Sequence, residues 1–282
     1  MISANFRRRF VSRLMTGAAI LAAMLAVVPL VLIFGDLVAK GISSINWDFF
    51  VKIPAPPGDT GGGVANAIVG TLVIVGLAGV VGLPVGIGSG IYLAEYGTTR
   101  FAWVVRFVAD VLNGTPSIVV GIFAWTWLVK PMGHFSALAG GVALALLMVP
   151  MVTRTTEEMV RLVPHSLTEA ALALGYTRWR TSLRIVVRTA WPGIMTGALI
   201  AVARVAGETA PLLFTTLGNL NLKVDILQPM QTLSLQIYVY ATGPFEEWHR
   251  LAWGAALVLM ALVLLFGLAA RYATRSRFSH GR

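Results

Sequence analysis

Arg204 and Glu208 stand in the run Ala203-Arg204-Val205-Ala206-Gly207-Glu208-Thr209-Ala210-Pro211, inside an otherwise apolar stretch. Four residues apart, they share one face if the stretch is helical. On insertion scales each charge costs about 2.5–3.5 kcal/mol at mid-bilayer, so such residues persist only with a partner or a role. Two readings stay open. In one, the pair locks a helix bundle, each charge offsetting part of the other's cost. In the other it lies on a pathway, where Arg204 meets an anion and Glu208 orients or releases it. A guanidinium fork suits an oxyanion because it matches phosphate-like geometry. Gly207 and Pro211 would loosen the helix there and let the backbone and Thr209 face a cavity.

A second polar stretch, Pro164 to Pro192, lies between two long apolar blocks. Ser166-Leu167-Thr168-Glu169 has the S-x-x-E form of a capping box. A short helix of good formers is predicted over Leu167–Leu174, with Gly175 ending it in the left-handed conformation. The following helix carries Arg178, Arg180, Arg184 and Arg188. Nine helical residues reach only about 14 Å. That is too short to span a bilayer and well sized to press into a groove on a partner.

Other chemistry is poorly supplied. The lysines at 40, 52, 130 and 223 follow Ala39, Val51, Val129 and Leu222, so the chain has no G-x-x-x-x-G-K-[ST] phosphate loop. There is no H-E-x-x-H, no cysteine, and the four histidines are scattered, His165 reading as a loop residue. No metal site, no catalytic residue and no cofactor of the chain's own is expected. An intramembrane enzyme would need acid–base or nucleophilic groups at depth, and only Arg204 and Glu208 are there.

These residues must be positioned by membrane helices. Of 282 residues 57% are hydrophobic and 12% charged, against about 25% charged in soluble domains. The net charge of +10 does not point to nucleic acid, because the basic residues flank apolar runs as topology determinants do. Leu14 to Gly35 follows Arg7, Arg8, Arg9 and Arg13 and reads as a retained first helix: it exceeds a signal peptide's apolar region and lacks an A-x-A site. Thr60 to Ala94 fits one long helix, with Pro84 the place where a kink would fall. Its Gly76, Gly79, Gly82, Gly86 and Gly90 would let neighbours approach closely. Arg106 and Asp110 can pair at i, i+4. Residues 226–245 are uncharged, but Gln228, Gln231, Gln236, Pro229 and Pro244 make a seventh span costly; the segment reads as external, partly amphipathic structure.

The resulting expectation is all-α: one polytopic membrane domain over 1–282, with six transmembrane helices. The spans fall near 14–38, 64–94, 112–129, 136–153, 189–217 and 250–270, with a cytoplasmic loop at 154–188. Both termini are then cytoplasmic. Sixteen of the 22 Lys and Arg residues fall inside, five outside, and Arg204 within a span, as the positive-inside rule requires.

Glu169-Ala170-Ala171, then Gly175, then Ile185 resembles the EAA loop of ABC-importer permeases, whose coupling helices dock on the ATPase subunit. The usual I-x-L-P ending is replaced by Ile185-Val186-Val187-Arg188, with Pro192 four residues later. Together with RVAGETAPLLFTT in the fifth span and PSIVVGIF at 116–123, the chain resembles the A-type permease subunit of the phosphate-specific (Pst) ABC importer over nearly its whole length. The resemblance implies the type I ABC-importer permease fold and phosphate import by alternating access across a bacterial inner membrane. It implies an ATP-binding subunit that carries the ATP, a second permease of C type and a phosphate-binding protein as partners, besides membrane lipid. It places Arg204, Glu208 and Thr209 on the substrate pathway, and Glu169, Ala170, Ala171 and Gly175 at the ATPase contact. A permease for another oxyanion (molybdate, sulfate or phosphonate) is the alternative, and a stand-alone channel would have no use for the capped loop.

Overall fold

The computed structural model describes residues 2–59 and 61–275, and the arginines at 277 and 282 lie outside them. The chain runs α1 (Ile2–Ile42), α2 (Trp47–Val51), α3 (Ala65–Tyr96), α4 (Arg100–Gly114), α5 (Ser117–Met132), α6 (Ala137–Arg161), α7 (His165–Ala173), α8 (Arg178–Ala206), α9 (Ala210–Thr215), α10 (Leu233–Ala241) and α11 (Glu246–Arg275). Among the described residues there is no β-strand. In lipid a helix satisfies its own backbone, so a chain this apolar folds this way.

Helices α1, α3, α6, α8 and α11 are long and apolar enough to cross a membrane. Helices α4 and α5 meet at a 107° bend and supply a sixth span if taken as one broken element. The bend falls at Thr115-Pro116, where proline ends the preceding helix. Helix α4 exposes Phe101, Trp103, Phe107 and Val108 and buries Ala102 and Ala109.

The bundle is centred on α3 against α6. Gly82, Gly86 and Gly90 face Met148, Val152 and Thr156 one turn at a time. A Cβ on Gly86 would lie 2.7 Å from the Val152 Cβ, and one on Gly90 2.5 Å from the Thr156 Cβ. Only glycine permits this approach, which brings the backbones into dispersion contact where lipid offers no hydrophobic drive. Gly76 meets nothing within 4 Å, and Gly79 meets only Leu83 of its own helix, at 3.9 Å, so the packing role ends at Gly82. A core of Ile74, Leu144, Met148, Val152, Ala201, Val205 and Leu212 joins α3, α6, α8 and α9.

Three local expectations are corrected. Helix α8 is continuous from Arg178, through a π-type turn at Ser182–Val186, and ends at Ala206, whereas a single helix was expected over 189–217. Gly207-Glu208-Thr209 is a break, and Pro211, lacking an N–H, sits in the first turn of α9. The Ser166 capping box does not form: α7 starts at His165 with Pro164 at its N-cap, and Leu167 N donates to Pro164 O (3.1 Å). The fixed φ of proline sets up the turn two residues earlier, so Ser166 lies inside it. Arg106 and Asp110 do not pair with each other; both reach across to α6.

Residues 226–245 form no membrane-spanning helix; only Leu233–Ala241 of them is helical. They fold into the end of the bundle, burying Met230, Gln231, Leu233, Leu235 and Gln236. Thr71 Oγ1 accepts from Leu233 N (2.8 Å), and Thr216 Oγ1 donates to Met230 O (2.8 Å). Gly70 makes room, since a Cβ there would fall 1.9 Å from Gln231 O. These partners supply the hydrogen bonds that a non-helical segment needs at depth.

Candidate functional site

The α8 break gives Arg204 and Glu208 different supports. Arg204 belongs to the last turn of α8; Glu208 lies beyond it, its N–H donating to Val205 O (3.1 Å) and its carbonyl accepting from Ser234 Oγ of α10 (3.0 Å). Both side chains line one cavity of about 210 Å³. The cavity is walled by Asn113 and Leu112 at the end of α4, by Thr115 and Pro116 at the bend, by Ser117 at the start of α5, and by Leu147 and Met151 of α6. Gly121 holds α5 onto α9 at this level: a Cβ on it would lie 2.6 Å from the Pro211 Cα.

Arg204 and Glu208 form no ion pair with each other. The side-chain contact of Arg204 among the described residues is to Met151 Sδ, 3.5 Å from Nη1. A thioether is a weak acceptor, so the guanidinium keeps its donor capacity turned to the cavity. Thr209 does not line it; the residue occupies the N-cap position of α9, its carbonyl accepting from Leu212 N and Leu213 N (3.1 and 3.2 Å). Among the described residues the site thus contains a cation without a counter-charge in contact, neutral donors at Asn113 and Ser117, and one carboxylate, while the Thr115 hydroxyl is committed to Val111 O (2.7 Å). Such a set can hold a small oxyanion and bias its orientation.

At the other end of α6, α7 and the first turns of α8 form an exposed apron. Gly175 has φ +83°, and Gly175 N donates to Leu172 O (2.9 Å) while Tyr176 N donates to Ala171 O (3.2 Å). This is a Schellman closure, which glycine enters without a Cβ penalty. Glu169, Ala170 and Gly175 are exposed, and Ala171 is buried against the bundle. Leu162, Leu174 and Trp179 are 72%, 79% and 57% exposed beside Arg178, Arg180 and Arg184. Apolar side chains rimmed by charge mark a protein contact surface.

Glu157 escaped the reading of the sequence. Its side chain is buried at 3% exposure and touches Arg106, Arg154 and Arg161. The available signal was the spacing of Arg154 and Arg161 at i−3 and i+4 on one face.

The chain matches, over residues 86–278, the family described as binding-protein-dependent transport system inner membrane component. It is 48% identical over 245 residues to the phosphate transport system permease protein PstA of Yersinia pestis, covering 86% of this chain and 82% of that one. To the protein of the same name from Haemophilus influenzae it is 43% identical over 274 residues, covering 97% and 95%. The fold is similar to that of a chain in the inward-facing MetNI methionine ABC transporter, with a TM-score of 0.65 at 18% identity, covering 76% of this chain and 95% of that one. It is likewise similar to one in a bacterial alginate ABC transporter, with a TM-score of 0.64 at 16% identity, covering 94% and 96%.

Proposed function

The chain belongs to the family of binding-protein-dependent inner-membrane transport components, among the PstA phosphate permeases, and on that footing we propose that it moves inorganic phosphate through the Arg204 cavity. It is a transport permease of an ABC importer with the all-α permease fold. Energy comes from a separate ATP-binding subunit docked on the α7 apron, and a second, C-type permease subunit and a phosphate-binding protein complete the assembly. ATP binding by the partner shifts α7 and rocks the bundle between outward and inward states.

The observation that carries the pathway assignment is Arg204, a guanidinium that among the described residues has no carboxylate in contact, at a helix break beside a polar cavity. A structural lock would need the Arg204–Glu208 contact, and it is absent. Cavity chemistry alone admits any small tetrahedral oxyanion; the names of the relatives favour phosphate over molybdate, sulfate or phosphonate. ATP-driven uptake by the complex in proteoliposomes tests this. Labelled phosphate should accumulate, and a large excess of sulfate or molybdate should leave the rate unchanged. Accumulation of sulfate without phosphate would overturn the substrate assignment.

The bundle is oriented with α7 and both arginine-rich termini in the cytoplasm, and with the α5–α6 turn outside. The natural absence of cysteine makes the test direct. In sealed cells an impermeant thiol reagent should label His134→Cys and not Leu174→Cys. Labelling of Leu174→Cys alone would invert the topology.

A further inference from the structure

We propose that Glu157 is a positioning residue that carries the movement of α7 to the wall of the Arg204 cavity. The proposal rests on the reading of α7 as the ATPase-docking helix.

Arg106 Nη2 of α4 donates to Glu157 Oε1 (2.7 Å), Arg154 Nη1 donates to Glu157 Oε2 (3.3 Å), and Arg161 Nη2 forms an ion pair with Oε1 at 2.8 Å. Arg154 also holds Asp110 of α4, with Nε 2.9 Å from Oδ1. Two carboxylates and three guanidiniums therefore join α4 to α6. A Cβ on Gly97, in the turn before α4, would lie 2.9 Å from Arg161 Nη2 and 3.1 Å from Arg106 Nη2. The turn is bare where the cluster needs space.

Each end of the cluster meets one of the two surfaces described above. Arg161 is the last residue of α6, and only Leu162, Val163 and Pro164 separate it from α7. Asp110 lies one turn before Asn113, which lines the cavity with Leu112. A displacement of α7 pulls on Arg161. The cluster passes it to Arg106 and Asp110, and α4 passes it to Asn113 and the bend at Pro116. Transmission of this kind needs a rigid contact with discrete arrangements rather than a soft apolar one. Half-exposed ion pairs such as those of Asp110 and Arg161 are worth little, and burying the Glu157 charge adds little net stability over well-packed apolar residues, so fold stability alone does not account for the cluster. Glutamine at 157 would keep the volume but lose the charge, and would turn an NH₂ donor toward guanidiniums that are themselves donors.

The test uses the complete complex, with Leu174→Cys as a cross-linking reporter of the ATPase contact. Glu157→Gln should keep the cross-link while phosphate moved per ATP hydrolysed falls about tenfold, within the range of inter-site couplings. An unchanged ratio with the cross-link kept would overturn the proposal. So would loss of the cross-link in Glu157→Gln alone, since the residue would then merely hold the apron in place. Absence of the cross-link with native Glu157 would instead refute the docking reading of α7. Should Glu157→Gln fail to insert, Arg106→Gln, on the far helix from α7, is read the same way: a normal ratio there refutes the proposal.

Discussion

Arg204→Gln should lower phosphate uptake by roughly 30-fold or more while the complex stays assembled in the membrane. Hydrogen bonds to a charged group are worth about 1.5–3 kcal/mol each, a two-pronged contact loses two of them, and 2 kcal/mol is already about 30-fold. That cost is borne only with the anion present, because among the described residues no carboxylate touches the guanidinium. Protein level should therefore match the parent. Arg204→Lys should recover little of the rate, since an ammonium is a point charge without a two-pronged fork. Rates measured at matched protein level check both variants. A normal rate in Arg204→Gln would remove the residue from the pathway.

Gly175→Val should uncouple the ATPase without disturbing the bundle. The glycine holds φ +83° and nothing lies within 4 Å of its missing side chain, so the defect is conformational rather than steric. A β-branched residue held in the left-handed region costs on the order of 1–3 kcal/mol. The chain relieves this by opening the closure, which re-aims Tyr176 and Trp179 on the exposed apron. Membrane insertion should persist while transport-linked ATP hydrolysis drops about tenfold. Gly175→Asn should retain most of the coupling, because asparagine tolerates the left-handed region. Equal loss in both variants would point to the surface itself rather than to the turn.

How much of this was legible in the sequence follows from the range of the forces involved. Uncharged runs and their arginine flanks are local, and they mark α1, α3, α6 and α11, but not the start of α8 or the α4–α5 bend. The Gly175 turn is also local, and its conformation follows from residue type. The Arg106–Asp110 pair was misread because spacing on a helix cannot see that α6 presents Arg154 and Glu157 to the same face. Burial of Gln231 and Gln236 was hidden for the same reason: the segment is seated by the space Gly70 leaves for the Gln231 backbone and by the Leu233–Thr71 and Thr216–Met230 hydrogen bonds, between residues far apart in sequence. The break after Ala206 was half legible. Gly207 and Pro211 signalled a loosened helix, but periodicity still drew Arg204 and Glu208 onto one face. The cavity between them depends on the α4–α5 bend, which brings Asn113 and Ser117 alongside.

The pathway assignment is tested most directly by phosphate uptake in the double variant Arg204→Gln, Glu208→Gln, beside the two single variants, all at matched membrane levels. If the two charges served only to neutralise one another, each single variant would leave an uncompensated charge, costing roughly 3–5 kcal/mol, and the double would regain both stability and transport. The pathway reading predicts three assembled complexes, with the double variant as inactive as Arg204→Gln alone. Restored uptake in the double variant would contradict it.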